Sequence, residues 1–236
     1  MLAEARSEFL AGVSSVAPIL LGVAPFGMIY GALAIAAGLP PGAAQAMSSI
    51  VFAGSAQFVA AQLIATGTPG VVIVLTVLVV NLRHMLYSAS VAPYVQQLGR
   101  RWKWILAYLL TDEAYAVAIM HYREPTPLKS KHWYLLGAGL ALWSTWQVST
   151  AAGIFLGSRM PPTWSLDFTL ALTFMALLIP ALTDRPSILA ALSAGTVAVV
   201  GANWPYKTGL LVAAVVGIAA GVLAERRGAQ AAPEEA

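Results

Sequence analysis

The sequence predicts an all-α polytopic membrane protein of about seven to eight transmembrane segments, with Pro/Gly-broken helices. Three observations carry that reading. The 236-residue chain is 59% hydrophobic and 10% charged, with a mean hydropathy of +0.76, whereas a soluble domain needs a charged shell of roughly a quarter of its residues. Apolar runs follow one another from Leu10 to Leu223, separated by turns rich in proline, glycine and charge. The basic residues gather at the ends of those runs, as in Arg100-Arg101-Trp102-Lys103, so the net charge of +3 reads as topology signal and not as a nucleic-acid surface. The absence of cysteine excludes disulfides, thiolate metal sites and thiol catalysis. Residues 1–236 are expected to form one integral membrane domain without a cleaved signal.

The first run, Leu10 to Leu39, holds Pro18 and Pro25. Each ring removes a backbone donor, so a kinked or discontinuous helix is expected. After the Pro40-Pro41-Gly42 turn, a second run covers Ala43 to Thr66. Its residues Gln45, Ser48, Phe52, Ser55, Val59 and Gln62 recur at steps of three and four, which stacks a polar seam on one helical face. Such a seam belongs against another helix or a cavity.

The third run, Val71 to Tyr94, contains Asn81-Leu82-Arg83-His84-Met85-Leu86-Tyr87-Ser88. An arginine at the bilayer centre costs roughly 2.5–3.5 kcal/mol on insertion scales, so Arg83 is expected to face protein or water and to have a partner. The fourth run, Trp104 to Met120, carries Thr111-Asp112-Glu113-Ala114-Tyr115 near its middle. Sequential helices tend to be neighbours, which makes Asp112 or Glu113 the expected partner of Arg83. One cation cannot neutralise two carboxylates, leaving the other carboxyl or His84 free to titrate.

His121 to His132, with Lys129 and Lys131, reads as a solvated loop; its two histidines have no further ligand close in sequence, so no metal site is expected. A fifth run from Trp133 to Leu156 is polar in its middle, Trp143 to Thr150, and a sixth from Leu166 to Leu182 starts at Asp167. Runs over Ile188 to Ala202 and Tyr206 to Leu223 flank Asn203-Trp204-Pro205.

Gly38-Leu39-Pro40-Pro41 aligns with Arg159-Met160-Pro161-Pro162, and Thr76 to Asn81 aligns with Thr196 to Gly201 at nearly the same offset. These anchors suggest a two-fold repeat over residues 10–95 and 133–223, which would lay Asn81–Tyr87 over the interruption at Asn203–Tyr206. Interrupted segments at matching positions of two halves point to a transporter binding site. With eight crossings, seven Lys and Arg (Arg6, Arg123, Lys129, Lys131, Arg185, Arg226, Arg227) fall on the N-terminal side and five (Arg100, Arg101, Lys103, Arg159, Lys207) on the other, which favours cytoplasmic termini.

Gly54-Ser55-Ala56 with His84 is a weak hydrolase pattern, and phosphate loops and HExxH are absent, so no cofactor and no catalysis are expected. Pro25-Phe26-Gly27, Met47-Ser48-Ser49-Ile50-Val51-Phe52-Ala53-Gly54-Ser55-Ala56-Gln57-Phe58, Asn81-Leu82-Arg83-His84-Met85-Leu86-Tyr87 and Thr111-Asp112-Glu113-Ala114-Tyr115 closely resemble the AzlC family, the large subunits of bacterial branched-chain amino-acid exporters. The resemblance implies a secondary exporter in the inner membrane, working with a small AzlD-type partner.

The residues fit such a role physically. A zwitterion needs donors for its carboxylate and acceptors for its ammonium, and an aliphatic side chain needs an apolar pocket. Broken-helix backbone at Pro25, with Ser48, Ser55, Gln57 or Asn81, is expected to hold the zwitterion, and Phe26, Phe52 and Tyr87 to bound its side chain. Proton coupling would run through His84, Asp112 and Glu113, with Arg83 organising the acids or reading the substrate carboxylate. The rival readings are an exporter of another amino-acid class, a passive channel for small polar solutes, and a scaffold whose polar residues only join helices.

Overall fold

The computed structural model describes residues 2–124, 130–158, 182, 184–205 and 208–231, and among these the regular structure is entirely helical. The elements are α1 (Leu2–Ala36), α2 (Pro41–Val51), α3 (Gly54–Ala65), α4 (Gly70–Val95), α5 (Arg100–Leu109), α6 (Asp112–Arg123), α7 (His132–Gly157), α8 (Arg185–Val200) and α9 (Thr208–Ala231). Among the described residues three helices are long and apolar enough to cross a membrane, within α1, α4 and α9. Two compact units divide the chain: residues 1–62 and 81–161 form one, residues 63–80 and 162–236 the other. The sixth apolar run and Asp167 lie outside the described residues, Leu182 apart.

In the first unit α1 is one continuous helix through Pro18 and Pro25, so of the kinked or discontinuous helix expected there the discontinuity is absent. Each proline deprives a carbonyl one turn back of its amide, and packing along α7 offsets that loss. α1 and α7 form the most extensive helix pair of the unit. They run parallel, with Phe9 beside Gly137, Met28 beside Gly153 and Ala32 beside Gly157. A Cβ at Gly31 would lie 2.3 Å from the Thr150 carbonyl oxygen, and one at Gly153 2.1 Å from that of Met28. The two helices therefore meet backbone to backbone through Gly27…Gly31 and Gly153…Gly157, the small-xxx-small spacing that allows close approach.

The interruptions fall instead in the second and fourth runs, each expected as a single helix. α2 and α3 have 11 and 12 residues and are parted at Phe52-Ala53. Phe52 takes the left-handed conformation, φ 39° and ψ 48°, and its N–H donates to the Ser48 carbonyl to close α2. Neither residue of the break is proline or glycine, although Gly54 follows as the first residue of α3; burial of the Phe52 ring holds a conformation that a non-glycine residue otherwise resists. α5 and α6, of 10 and 12 residues, part at Leu110-Thr111, where Thr111 caps α6 by accepting from the Ala114 N–H. At 1.5 Å per residue each piece is about 15–18 Å long, half a bilayer core.

The described part of the connection from His121 to His132 departs from the solvated loop expected of it: His121 to Arg123 belong to α6, and Tyr122 is buried. Lys131 is buried, and its Nζ donates to the carbonyls of His121 at 2.8 Å and Glu124 at 2.9 Å. A long cationic side chain satisfies the orphan carbonyls at the C-terminus of α6 and complements its negative end.

In the second unit α8 and α9 pack antiparallel, Gly201 against Gly209 and Ala194 against Gly217. Asp184 starts α8 with a capping box, and the Ser187 hydroxyl and amide hold its carboxyl below the usual carboxylate range. α4 runs unbroken through Asn81, whereas the chain turns at residues 201–205, so the two stretches overlaid by the sequence repeat differ in conformation.

Candidate functional site at two helix breaks

Arg83 stands midway along α4 and ties together the starts of two half-helices. Its Nη2 donates to Ser55 Oγ at 2.7 Å, and its Nη1 donates to Asp112 Oδ2 in an ion pair. Ser55 is the second residue of α3 and Asp112 the first of α6. Of the two carboxyls expected as its partner, Asp112 is the one that Arg83 meets. Asp112 and Glu113 occupy the first turn of α6, where amides left without helical partners and the positive end of the helix dipole favour carboxylates. The break at Leu110-Thr111 thereby makes two adjacent acids tolerable within an apolar run.

The two breaks also touch. Tyr108, near the end of α5, places its ring 5.8 Å from Phe52. Its hydroxyl donates to the Ser49 carbonyl and accepts from Trp143 Nε1 at 2.8 Å. Along α4, Tyr87 stacks on Tyr115 at 4.6 Å, with His84 edge-on to Tyr87 at 5.9 Å. His84 Nδ1 lies 3.3 Å from the Asn81 carbonyl oxygen, and Ser90 Oγ lies 3.0 Å from the Tyr115 hydroxyl.

The ion pair is not fully buried: 31% of the Arg83 side chain and 39% of the Asp112 side chain are accessible. Asn81 Oδ1 and Arg83 Nε are buried without a hydrogen-bond partner among the described residues. They supply one acceptor and one donor, two residues apart on α4, and such groups are costly when unmet.

Other expected site residues gather in a second cluster, between α1, α2, α3 and α7. Ser48 Oγ meets Thr150 Oγ1 at 3.0 Å, and Gln57 Oε1 accepts from Trp146 Nε1 at 3.2 Å. Phe26 packs on Phe58 at 4.5 Å and on Trp146 at 6.0 Å, while Pro25 is exposed on α1. Gln147 accepts from Gln45 Nε2 at 2.7 Å and Ser49 Oγ at 2.8 Å. Ser48, Gln57 and Phe26 make these contacts with Thr150 and Trp146 of α7, and Gln57 Nε2 is buried without a hydrogen-bond partner among the described residues. Gln147, Trp143 and Tyr108 were not singled out by the sequence. The polar middle of the fifth run signals the first two, while Tyr108 carries no signal beyond its place three residues before Thr111.

The residues around Arg83 come from the stretches whose motifs are most distinctive, and comparison with known proteins covers them. The family model described as AzlC protein matches residues 18–160. This chain belongs to the AzlC family. The matched span holds both helix breaks, Arg83, Asp112 and the α7 seam. The chain is 29% identical to the inner membrane protein YgaZ of Escherichia coli, over 85% of this chain and 82% of that protein. It is 32% identical to an uncharacterized membrane protein of Archaeoglobus fulgidus, over 77% and 78%. It is 30% identical to the branched-chain amino acid transport protein AzlC of Bacillus subtilis, over 69% of this chain and 63% of that protein. No solved structure matches the chain. Family and membrane-length helices together identify a multi-pass membrane protein and point to a transporter rather than an enzyme.

Proposed function

We propose that this AzlC-family protein is a secondary exporter of branched-chain amino acids in the bacterial inner membrane, with its substrate site at the two helix breaks around Arg83. The observation that carries the reading is the convergence of Arg83, Ser55 and Asp112 at the starts of two half-helices, beside the unmet Asn81 Oδ1. Half-helix starts and an arginine suit a substrate carboxylate; Asn81 Oδ1 and the Asp112 carboxylate suit its ammonium. Phe52 and Tyr87 offer apolar walls for an aliphatic side chain. In this reading α2 with α3, and α5 with α6, each make one interrupted crossing, and the whole chain crosses seven or eight times.

Branched-chain substrates are supported by the name of the Bacillus subtilis relative, and outward transport with a small AzlD-type subunit by the family resemblance. Glu113, Asp112 and His84 would carry the coupling proton, because Arg83 neutralises only one of two adjacent acids. The test is counterflow. Preloaded proteoliposomes should release labelled leucine faster when unlabelled leucine is outside, and a pH jump should drive uphill efflux. Flux indifferent to trans leucine would instead indicate a passive channel. Undiminished proton drive in D112N, E113Q and the double variant would remove the coupling role.

A further inference from the structure

We propose that the cleft between α4 and α5 is a binding site for an anionic phospholipid, holding an acyl chain in its apolar depth and a phosphodiester at its basic rim. A cavity of about 280 Å³ lies there. α4 lines it with Ser88, Val91, Ala92 and Val95, and α5 with Lys103, Leu106 and Ala107; Leu110 just past the end of α5 and Leu135 of α7 complete its apolar wall. The α4 set falls at i, i+3, i+4 and i+7 and the α5 set at i, i+3 and i+4, so one face of each helix looks onto the gap. From Ser88 to Val95 the gap runs about 10 Å along α4. Its walls are almost wholly hydrocarbon and include no carboxylate to take an ammonium group. An acyl segment fits that chemistry; a zwitterionic amino acid does not.

The rim carries the opposite chemistry. Lys103 Nζ donates to the Gln96 carbonyl at 2.6 Å, which leaves two of its N–H groups for another acceptor. Arg100 stands three residues earlier on α5 and so shares the Lys103 face, with Arg101 beside it. All three cations are exposed, and among the described residues none is paired with a carboxylate. Gly99 caps α5 without a side chain, which leaves the positive helix start facing the same rim.

The aromatic residues at this end fit the headgroup level of a bilayer. Trp104 is 77% exposed, and Trp102 packs edge-on to Trp133 at 4.9 Å. Tryptophan belts mark that depth, where a phosphodiester sits directly above its acyl chains. Basic residues at that depth attract a phosphodiester through charge. Here an apolar slot is added to hold one lipid in place.

Native mass spectrometry and thermal unfolding of the purified chain, in a neutral detergent, test the assignment. Phosphatidylglycerol is expected to remain bound as a discrete adduct and to raise Tm, while phosphatidylcholine does neither. Glycerol 3-phosphate, the same headgroup chemistry without a tail, should leave Tm unchanged. R100Q/K103Q, which alters two exposed side chains, should lose the adduct at least tenfold while keeping its Tm in phosphatidylcholine. A107F, which fills the slot, should lose the adduct although its rim is intact. Equal retention of phosphatidylcholine, a full Tm rise with glycerol 3-phosphate, or wild-type adduct in R100Q/K103Q would each overturn the proposal.

Discussion

Replacing Arg83 by glutamine keeps a polar side chain at the centre of the site and removes its charge. Asp112 then loses the one ion pair it makes among the described residues, and Ser55 loses a donor. Removing one partner of a fully buried ion pair costs about 3–5 kcal/mol. Here about a third of each side chain is accessible, and water and salt screen the remaining charge. The expectation falls to the range of a charge-assisted hydrogen bond, about 1.5–3 kcal/mol. Asp112→Asn should lose a similar amount, because it strands the guanidinium instead. The double variant R83Q/D112N carries neither charge and should recover much of the stability, with a coupling of about 1–2 kcal/mol in the cycle. Thermal unfolding in detergent measures this part, and losses that simply add would refute the pairing as an energetic unit. Leucine counterflow measures the other part. If Arg83 reads the substrate carboxylate, the stable double variant still transports at background. A double variant that regains wild-type counterflow would reduce Arg83 to a strut between α3 and α6.

Further outcomes follow from the same geometry. Phe52→Gly should be about 1 kcal/mol more stable than Phe52→Ala, reversing the usual order of those residues, because φ at this position is positive; a more stable alanine variant would argue against the left-handed break. Gly153→Val places side-chain atoms where the Met28 carbonyl now lies, and should separate α1 from α7 at a cost of about 1–3 kcal/mol or more, read as lost folded yield and lower Tm. Lys131→Met retains the buried stem but strands the carbonyls of His121 and Glu124, an expected loss of about 1–3 kcal/mol that an arginine at the same position should partly restore. Gln147→Leu removes the acceptor shared by Gln45 and Ser49 and should lower Tm while sparing counterflow; a selective loss of transport would move that seam into the substrate path.

Much of the architecture was legible because hydropathy reports burial in lipid directly. The helices α4, α7 and α8 lie where the apolar runs place them, α9 continues past its run to Ala231, and an arginine in a membrane-length helix required a partner that the chain supplied one run later. The positions of the breaks were not legible. Proline is the visible breaker in the sequence, yet Pro18 and Pro25 sit inside an intact helix because glycine-mediated contact with α7 holds α1 along its length. Phe52 carries a break with no local signal beyond Gly54 two residues on, since its conformation is held by the burial of its ring. The break before Asp112 did have a signal: threonine followed by two acids is a helix start, but in an apolar run it reads first as a costly charge cluster.

The sequence by itself therefore determined the class of molecule, the approximate span of α4, α7 and α8 and the pairing of Arg83 with an acid of the next run, since lipid solvation and charge cost are properties of composition and order. Only the tertiary structure decided that Arg83 joins two half-helix starts, that Asp112 is the partner, and that Ser48, Gln57 and Phe26 meet Thr150 and Trp146 of α7. Those outcomes depend on which backbone segments approach closely enough to leave polar groups needing one another, and residues far apart in the chain set that distance.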